Sequence, residues 1–344
     1  MRKILAIAAT FALFGAPASS QQAATEAPTP TGSTGETLAV ATLPPLLITP
    51  ITLDRSDRMT LPVTIAGQGP FNFVVDTGAE RTVLSRELAA QLGLQGAGQA
   101  RVVGLAEAVM ADLYHLDNIA VRDVTLASGT VPTFDQFDIG GPGLIGIDSL
   151  ENHKVVIDFV AGRMDIRPSE RARGRSREAD FDRDAIVVVA RRRAGRMILS
   201  NATIGGQRID IIIDTGAQSS IGNLALQRLV LRSQRQVRTG LVPGELRSVT
   251  GAALTVERGI IEHIAVNGVE FVNLPIAYAD SPAFAALDLE QRPALFLGMD
   301  MLRLFDRIAV DFTNRRVTFD MPDGARLIGA SRYAANPSAP SGGN

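Results

Sequence analysis

Apolar positions along the chain come in short runs, some alternating and some continuous, separated by Gly, Asp, Asn and Pro, which is the pattern of many short strands. Two of the continuous runs, Phe73-Val74-Val75 and Ile211-Ile212-Ile213, read as buried strands. Each stops abruptly at Asp-Thr-Gly-Ala, residues 76–79 and 214–217, a carboxylate followed by a tight-turn signal. Ahead of each lies a hairpin pattern. In the first half it is Met59-Thr60-Leu61-Pro62-Val63-Thr64-Ile65 followed by Gly67-Gln68-Gly69. In the second it is Met197-Ile198-Leu199, running through Thr203-Ile204 to Gly205-Gly206. After each comes a polar residue suited to a helix N-cap, Ser85 or Asn223, and a short helical pattern carried by Leu88 and Leu92 or by Leu226 and Val230.

The halves are copies of one plan. Met59 and Met197 are 138 residues apart, and so are Asp76 and Asp214, the trace that a duplication leaves. Each half then carries Gly-punctuated apolar alternation, residues 98–114 and 246–261, read as a hairpin with a further strand pair after it. Each closes on a second matched phrase, Leu144-Ile145-Gly146-Ile147-Asp148 against Phe296-Leu297-Gly298-Met299-Asp300. Here the offset is 152 residues, so the second half holds 14 extra residues between its two phrases, a loop insertion.

A carboxylate at the end of a buried strand is costly unless something uses it. One such strand end per half can bring Asp76 and Asp214 face to face across a pseudo-twofold axis, and paired carboxylates sharing a proton are the acid–base engine of aspartic proteases. The stretch Val75-Asp76-Thr77-Gly78-Ala79-Glu80-Arg81-Thr82-Val83-Leu84 resembles the active-site loop of the retropepsin-like aspartic proteases. The resemblance extends over residues 46–321.

That resemblance implies an all-β fold, mainly β with short helices, in the two-lobed acid-protease form with pseudo-twofold symmetry and both lobes in one chain. It implies an aspartic endopeptidase in which Asp76 and Asp214 hold one water, one acting as general base and the other as general acid. Which of them starts protonated is open in the sequence. Thr77 and Thr215 would lock the two loops together, Gly78 and Gly216 would let the backbone approach the substrate, and Ala79, Glu80, Ala217 and Gln218 would line it. The loops at Gly146 and Gly298 would brace the catalytic loops from below. Residues 98–114 and 246–261 become candidate flaps, but without a family-style flap tyrosine, since Tyr114 lies late for one and Tyr278 lies outside. The alternative is a peptide-binding or scaffolding protein on the same fold with little or no turnover. Asp at both positions favours the enzyme, because a binding cleft has no use for two carboxylates that must share a proton.

Composition narrows the rest. The chain has 344 residues, 46% hydrophobic and 20% charged, with a net charge of −2, which gives no electrostatic case for nucleic acid or an anionic membrane as partner. A protein or peptide substrate is the expected partner, and with both Asp loops in one chain a monomer is expected. There is no cysteine, and His115, His153 and His263 share no ligand spacing, so neither disulfides nor a metal are expected, and no cofactor fingerprint appears. Asp148, Asp158, Asp300 and Asp311 recur in matched pairs and read as structural.

Met1-Arg2-Lys3, an apolar run from Ile4 to Phe14 and Ala16-Pro17-Ala18 have the order of a Sec signal peptide, residues 1–18, cleaved after Ala18. A periplasmic or secreted protein without a membrane span is then expected. The remaining organisation reads as a disordered linker at 19–45, an N-terminal lobe at 46–168, a mixed-charge linker at 169–184, a C-terminal lobe at 185–325 and a disordered tail at 326–344. Arg191-Arg192-Arg193 reads as solvated surface at a hairpin tip.

Overall fold

The computed structural model describes residues 9–10, 49–50, 52–53, 58–126, 129–171, 181, 185–193, 196–234, 240–267 and 269–322. Of the expected signal peptide only Ala9–Thr10 is included, as a two-residue strand on Arg247 and Ser248. The expected linker at 19–45, most of the one at 169–184 and the tail at 326–344 lie outside the described residues.

The fold is mostly β, with six short helices among the described residues, and its strands form sheets of ten, nine and six. Each lobe begins with the hairpin that its pattern calls for. Met59–Ile65 returns as Gln68–Val75 through Ala66 and Gly67, both at positive φ, and Arg196–Ile204 returns as Gln207–Ile213 through Gly205 and Gly206, also both at positive φ. Two successive left-handed residues make the turn whose twist matches antiparallel strands, which is why glycine recurs there. Gln68–Val75 is exposed where it leaves the turn and fully buried at Phe73, Val74 and Val75, because its far end enters the middle of a sheet.

There Leu144 and Ile145 run parallel to Val74 and Val75, and Phe296 and Leu297 run parallel to Ile212 and Ile213. The second matched phrase of each half is thus a neighbour of its Asp-bearing strand. Between Asp-Thr-Gly-Ala and each helix the chain forms an additional short strand, Val83–Ser85 or Ile221–Gly222, too brief to show a period in the sequence. Ser85 and Asn223 then cap the helices Arg86–Gln91 and Leu224–Ser233, accepting from the N–H of Leu88 and Leu226.

The stretches read as flaps are hairpins. Gly96–Val103 pairs with Ala108–Leu116, and Val242–Ser248 pairs with Ala253–Val266. The expected strand pair after the second flap is instead a single strand, Val269–Tyr278, which doubles back along Glu257–Val266 of the same long strand.

The six-stranded sheet joins the lobes. His153–Asp158 pairs antiparallel with Arg307–Asp311, each flanked by its own partner, Arg163–Pro168 or Arg316–Asp320, and Ile186–Val189 pairs with the latter. The main apolar core lies behind the two Asp-bearing strands and continues from one lobe into the other.

Candidate active site

Asp76 and Asp214 stand at the ends of Gln68–Val75 and Gln207–Ile213, where their own N–H groups donate to Ile145 O and Leu297 O at 3.0 Å. Each Oδ1 is held by two backbone donors of its own loop. Asp76 accepts from Gly78 and Ala79 at 2.8 and 2.9 Å, and Asp214 accepts from Gly216 and Ala217, both at 3.0 Å. Glycine is required at 78 and 216, because a Cβ at either would collide with the Asp carboxyl of the opposite lobe. The two carboxylates therefore lie against each other's loops, and both residues are fully buried.

Their Oδ2 atoms are buried without a hydrogen-bond partner among the described residues. Burial and the neighbouring Asp214 charge raise Asp76 well above the usual carboxylate range, against the two backbone donors and the Arg58 charge. Burial pushes Asp214 up to about 6, against the donors of Gly216 and Ala217. Two carboxyls so close do not both ionise readily, so the pair holds its last proton well above the ordinary carboxylate range.

Thr77 and Thr215 join the loops across the pseudo-twofold axis. The N–H of Thr77 donates to Thr215 Oγ1 at 3.1 Å and that of Thr215 to Thr77 Oγ1 at 3.2 Å, while the hydroxyls donate onward to Ile213 O and Val75 O at 2.8 and 2.6 Å. Four hydrogen bonds, all buried, fix one Asp relative to the other.

The Gly146 and Gly298 loops lie directly beneath. Ile147 N–H donates to Ala79 O and Met299 N–H to Ala217 O, at 2.9 and 2.8 Å. A Cβ on Gly146 would run into the backbone of Arg81, and one on Gly298 into that of Ser219. The paired acids Asp148 and Asp300 fasten this layer. Asp148 accepts from the N–H and hydroxyl of Thr82, and Asp300 from those of Ser220. Asp158 and Asp311 serve the turns of the inter-lobe sheet, accepting from Ala161 N–H and Asn314 N–H.

Arg58 and Arg196 escaped the sequence reading. Both are fully buried, and they precede Met59 and Met197, so the repeat that marks the methionines at an offset of 138 marks the arginines too. Arg196 reaches across the lobes to donate from Nε to Gly78 O at 2.7 Å, with a terminal nitrogen 3.9 Å from Glu80. Burial lowers it to about 10, so it stays charged at neutral pH. Arg58 donates to Ile139 O. Burial raises Glu80, against the Arg196 and Arg81 charges. On the other side of the axis stands the neutral Gln218, so the two ends of the site differ in charge.

Both flap tips close on the opposite lobe. Leu105 is buried in the cluster that holds Ala217, Ile221 and Phe296, and Val249 in the one that holds Val74, Val83 and Leu144. Tyr114 lies well away from its tip, and Tyr278 is buried in the strand beyond its flap, so neither tip carries a tyrosine. The arginine triplet lies at the end of a hairpin and is largely exposed, as its sequence suggests. It forms a strand, Arg191–Arg193, and each side chain is engaged in an ion pair, with Asp210, Glu151 and Asp288 in turn. Among the described residues no three His, Asp or Glu side chains are placed to hold a metal, and no helix is long and apolar enough to cross a membrane.

Two stretches, residues 61–149 and 200–301, match the family model for aspartyl proteases, and together they span more than half of the chain. The chain belongs to the aspartyl protease family. Each match covers one of the two Asp-Thr-Gly-Ala loops and the Gly loop beneath it, in keeping with two retropepsin-like lobes fused in one chain. No curated protein matches the chain.

Proposed function

We propose that this aspartyl protease is an active endopeptidase in which Asp76 and Asp214 are the catalytic pair. The observation that carries the proposal is the contrast between the two oxygens of each carboxylate. Oδ1 is fixed by two backbone donors, while Oδ2 is buried with no partner among the described residues. A water held between the two Oδ2 atoms would satisfy both. The ionised carboxylate takes a proton from that water as it attacks the scissile carbonyl carbon, and the protonated one donates to the carbonyl oxygen. The resulting gem-diol collapses as a proton passes to the departing amine. Gly78, Ala79 and Glu80 on one side, and Gly216, Ala217 and Gln218 on the other, are the proposed contacts of an extended substrate, with Thr77, Thr215, Gly146 and Gly298 as supports. The charged, apolar and small-residue order of residues 1–18 supports export, so the proposed substrates are proteins or peptides outside the cytoplasm.

The test is turnover of a mixed peptide library by the purified chain and by Asp76→Asn and Asp214→Asn. An amide is neither the acid nor the base, so each variant is expected to lose 10²-fold or more while melting as a folded protein. Retention of more than about a tenth of the wild-type turnover by either variant would overturn the shared-proton mechanism.

A further inference from the structure

The catalytic carboxylates are fully buried, and the flap tips that cover their surroundings are seated in the opposite lobes. A peptide therefore reaches the site only after a flap lifts. The contacts that a flap must break differ on the two sides of the axis.

The tip of the N-terminal flap rests on the C-terminal lobe through Leu105, whose carbonyl accepts from Ser281 Oγ at 2.5 Å. Ser281 is the N-cap of the helix Pro282–Ala286. The tip of the C-terminal flap rests on the matching helix of the N-terminal lobe, Gln136–Ile139. Here the contact is ionic. Arg247 Nε lies 2.9 Å from Asp138 Oδ1, and its guanidinium lies 5.4 Å from the ring centroid of Phe137, an otherwise exposed side chain. Gly251 at the turn, with φ of +83°, brings the tip so close to Asp138 that a Cβ there would lie 2.7 Å from Oδ2. Asp138 itself is buried, so the ion pair is sheltered on the acid side and only Arg247 faces water. The tips also meet each other, with Gly104 lying against Thr250 and Ser248.

We propose that Asp138 and Arg247 form a latch between the lobes, an ion pair that holds the C-terminal flap closed over the site and makes its opening sensitive to salt, whereas the N-terminal flap is held by a neutral hydrogen bond and apolar seating. Access is then gated by one flap electrostatically and by the other through packing. The inference rests on the cleft being the substrate site only for its meaning in catalysis; the latch itself is a property of the fold and is measured without turnover.

The absence of cysteine makes the measurement direct, because two introduced thiols are the only labelling sites. Spin labels at Thr255→Cys on the flap and Ala90→Cys on the helix Arg86–Gln91 of the N-terminal lobe, both exposed positions, report the flap-to-lobe distance by pulsed dipolar spectroscopy. In low salt the full chain is expected to show one predominant short distance. Asp138→Asn and Arg247→Gln should each raise the long-distance population by about two- to fivefold, the range for a partly exposed pair, with little change in melting temperature. Molar salt should move the wild type towards the variants and leave the variants where they are. Distance distributions that are the same in the wild type and both variants, or an equal salt response in all three, would overturn the latch whatever the outcome of the peptide assay.

Discussion

Asp76 and Asp214 are each followed, three residues on, by an alanine whose N–H donates to the carboxylate and whose methyl is fully buried. A serine at 79 or 217 would bring a hydroxyl donor to the same neighbourhood. A donor to the ionised form lowers a carboxylate pKa, and a methyl group leaves burial to raise it, which is the direction found for both acids. The proposed mechanism requires the singly protonated pair, so its acidic limb appears where the ionised member takes up its proton. With Asp214 raised to about 6, the acidic limb is predicted near pH 6 and the optimum above it, towards neutral pH. Ala79→Ser combined with Ala217→Ser is predicted to move the acidic limb of kcat/KM to lower pH. An unmoved or raised limb would refute the hydroxyl argument alone.

At the scale of the element, the loop that bears Asp76 is one storey of a two-storey structure. The Gly146 loop sits so close beneath residues 79–82 that no side chain fits between, and Thr82 binds both Gly146 N–H and Asp148. Gly146→Ala must push the Arg81 backbone, and with it the loop that bears Asp76. Overpacking of this kind costs about 1–3 kcal/mol, and a displaced loop removes activity as well. Gly141→Ala supplies the control, since its Cβ would meet only Asn72 O at 3.6 Å, an ordinary contact. Thermal melts and kcat/KM are predicted to fall together for Gly146→Ala and to stay near wild type for Gly141→Ala.

For the whole molecule, contacts among the described residues unite the halves of one chain: the threonine exchange at the axis, the pairing of His153–Asp158 with Arg307–Asp311, the reach of Arg196 to Gly78 and the crossed flap tips. Each half supplies one Asp, so the proposed site needs no second copy. Specific activity is predicted to stay flat on dilution from micromolar to low nanomolar concentration. A fall on dilution, matched by dissociation in sedimentation, would show a site built between chains. The difference between Glu80 and Gln218 is open to a single chain, in which the two ends of the site are free to diverge.

The strands, turns and capped helices were legible in the residues because burial periodicity, paired left-handed turn positions and N-cap donors are local properties; Met59–Ile65, Gly205-Gly206 and Ser85 each carry their own instruction. The repeat at 138 residues made the two-lobed plan legible as well, and it extended to Arg58 and Arg196, though a lone arginine before a strand has no local feature that announces burial. Partners across the axis were decided only in the tertiary structure. His153–Asp158 and Arg307–Asp311 have the same apolar pattern, as do the two flaps, so pairing within a half and pairing between halves look alike in sequence. Packing resolves them: Leu105 and Val249 are buried in opposite lobes, and two carboxylates, each costly to bury alone, meet at the axis, where burial and their mutual charge raise Asp76.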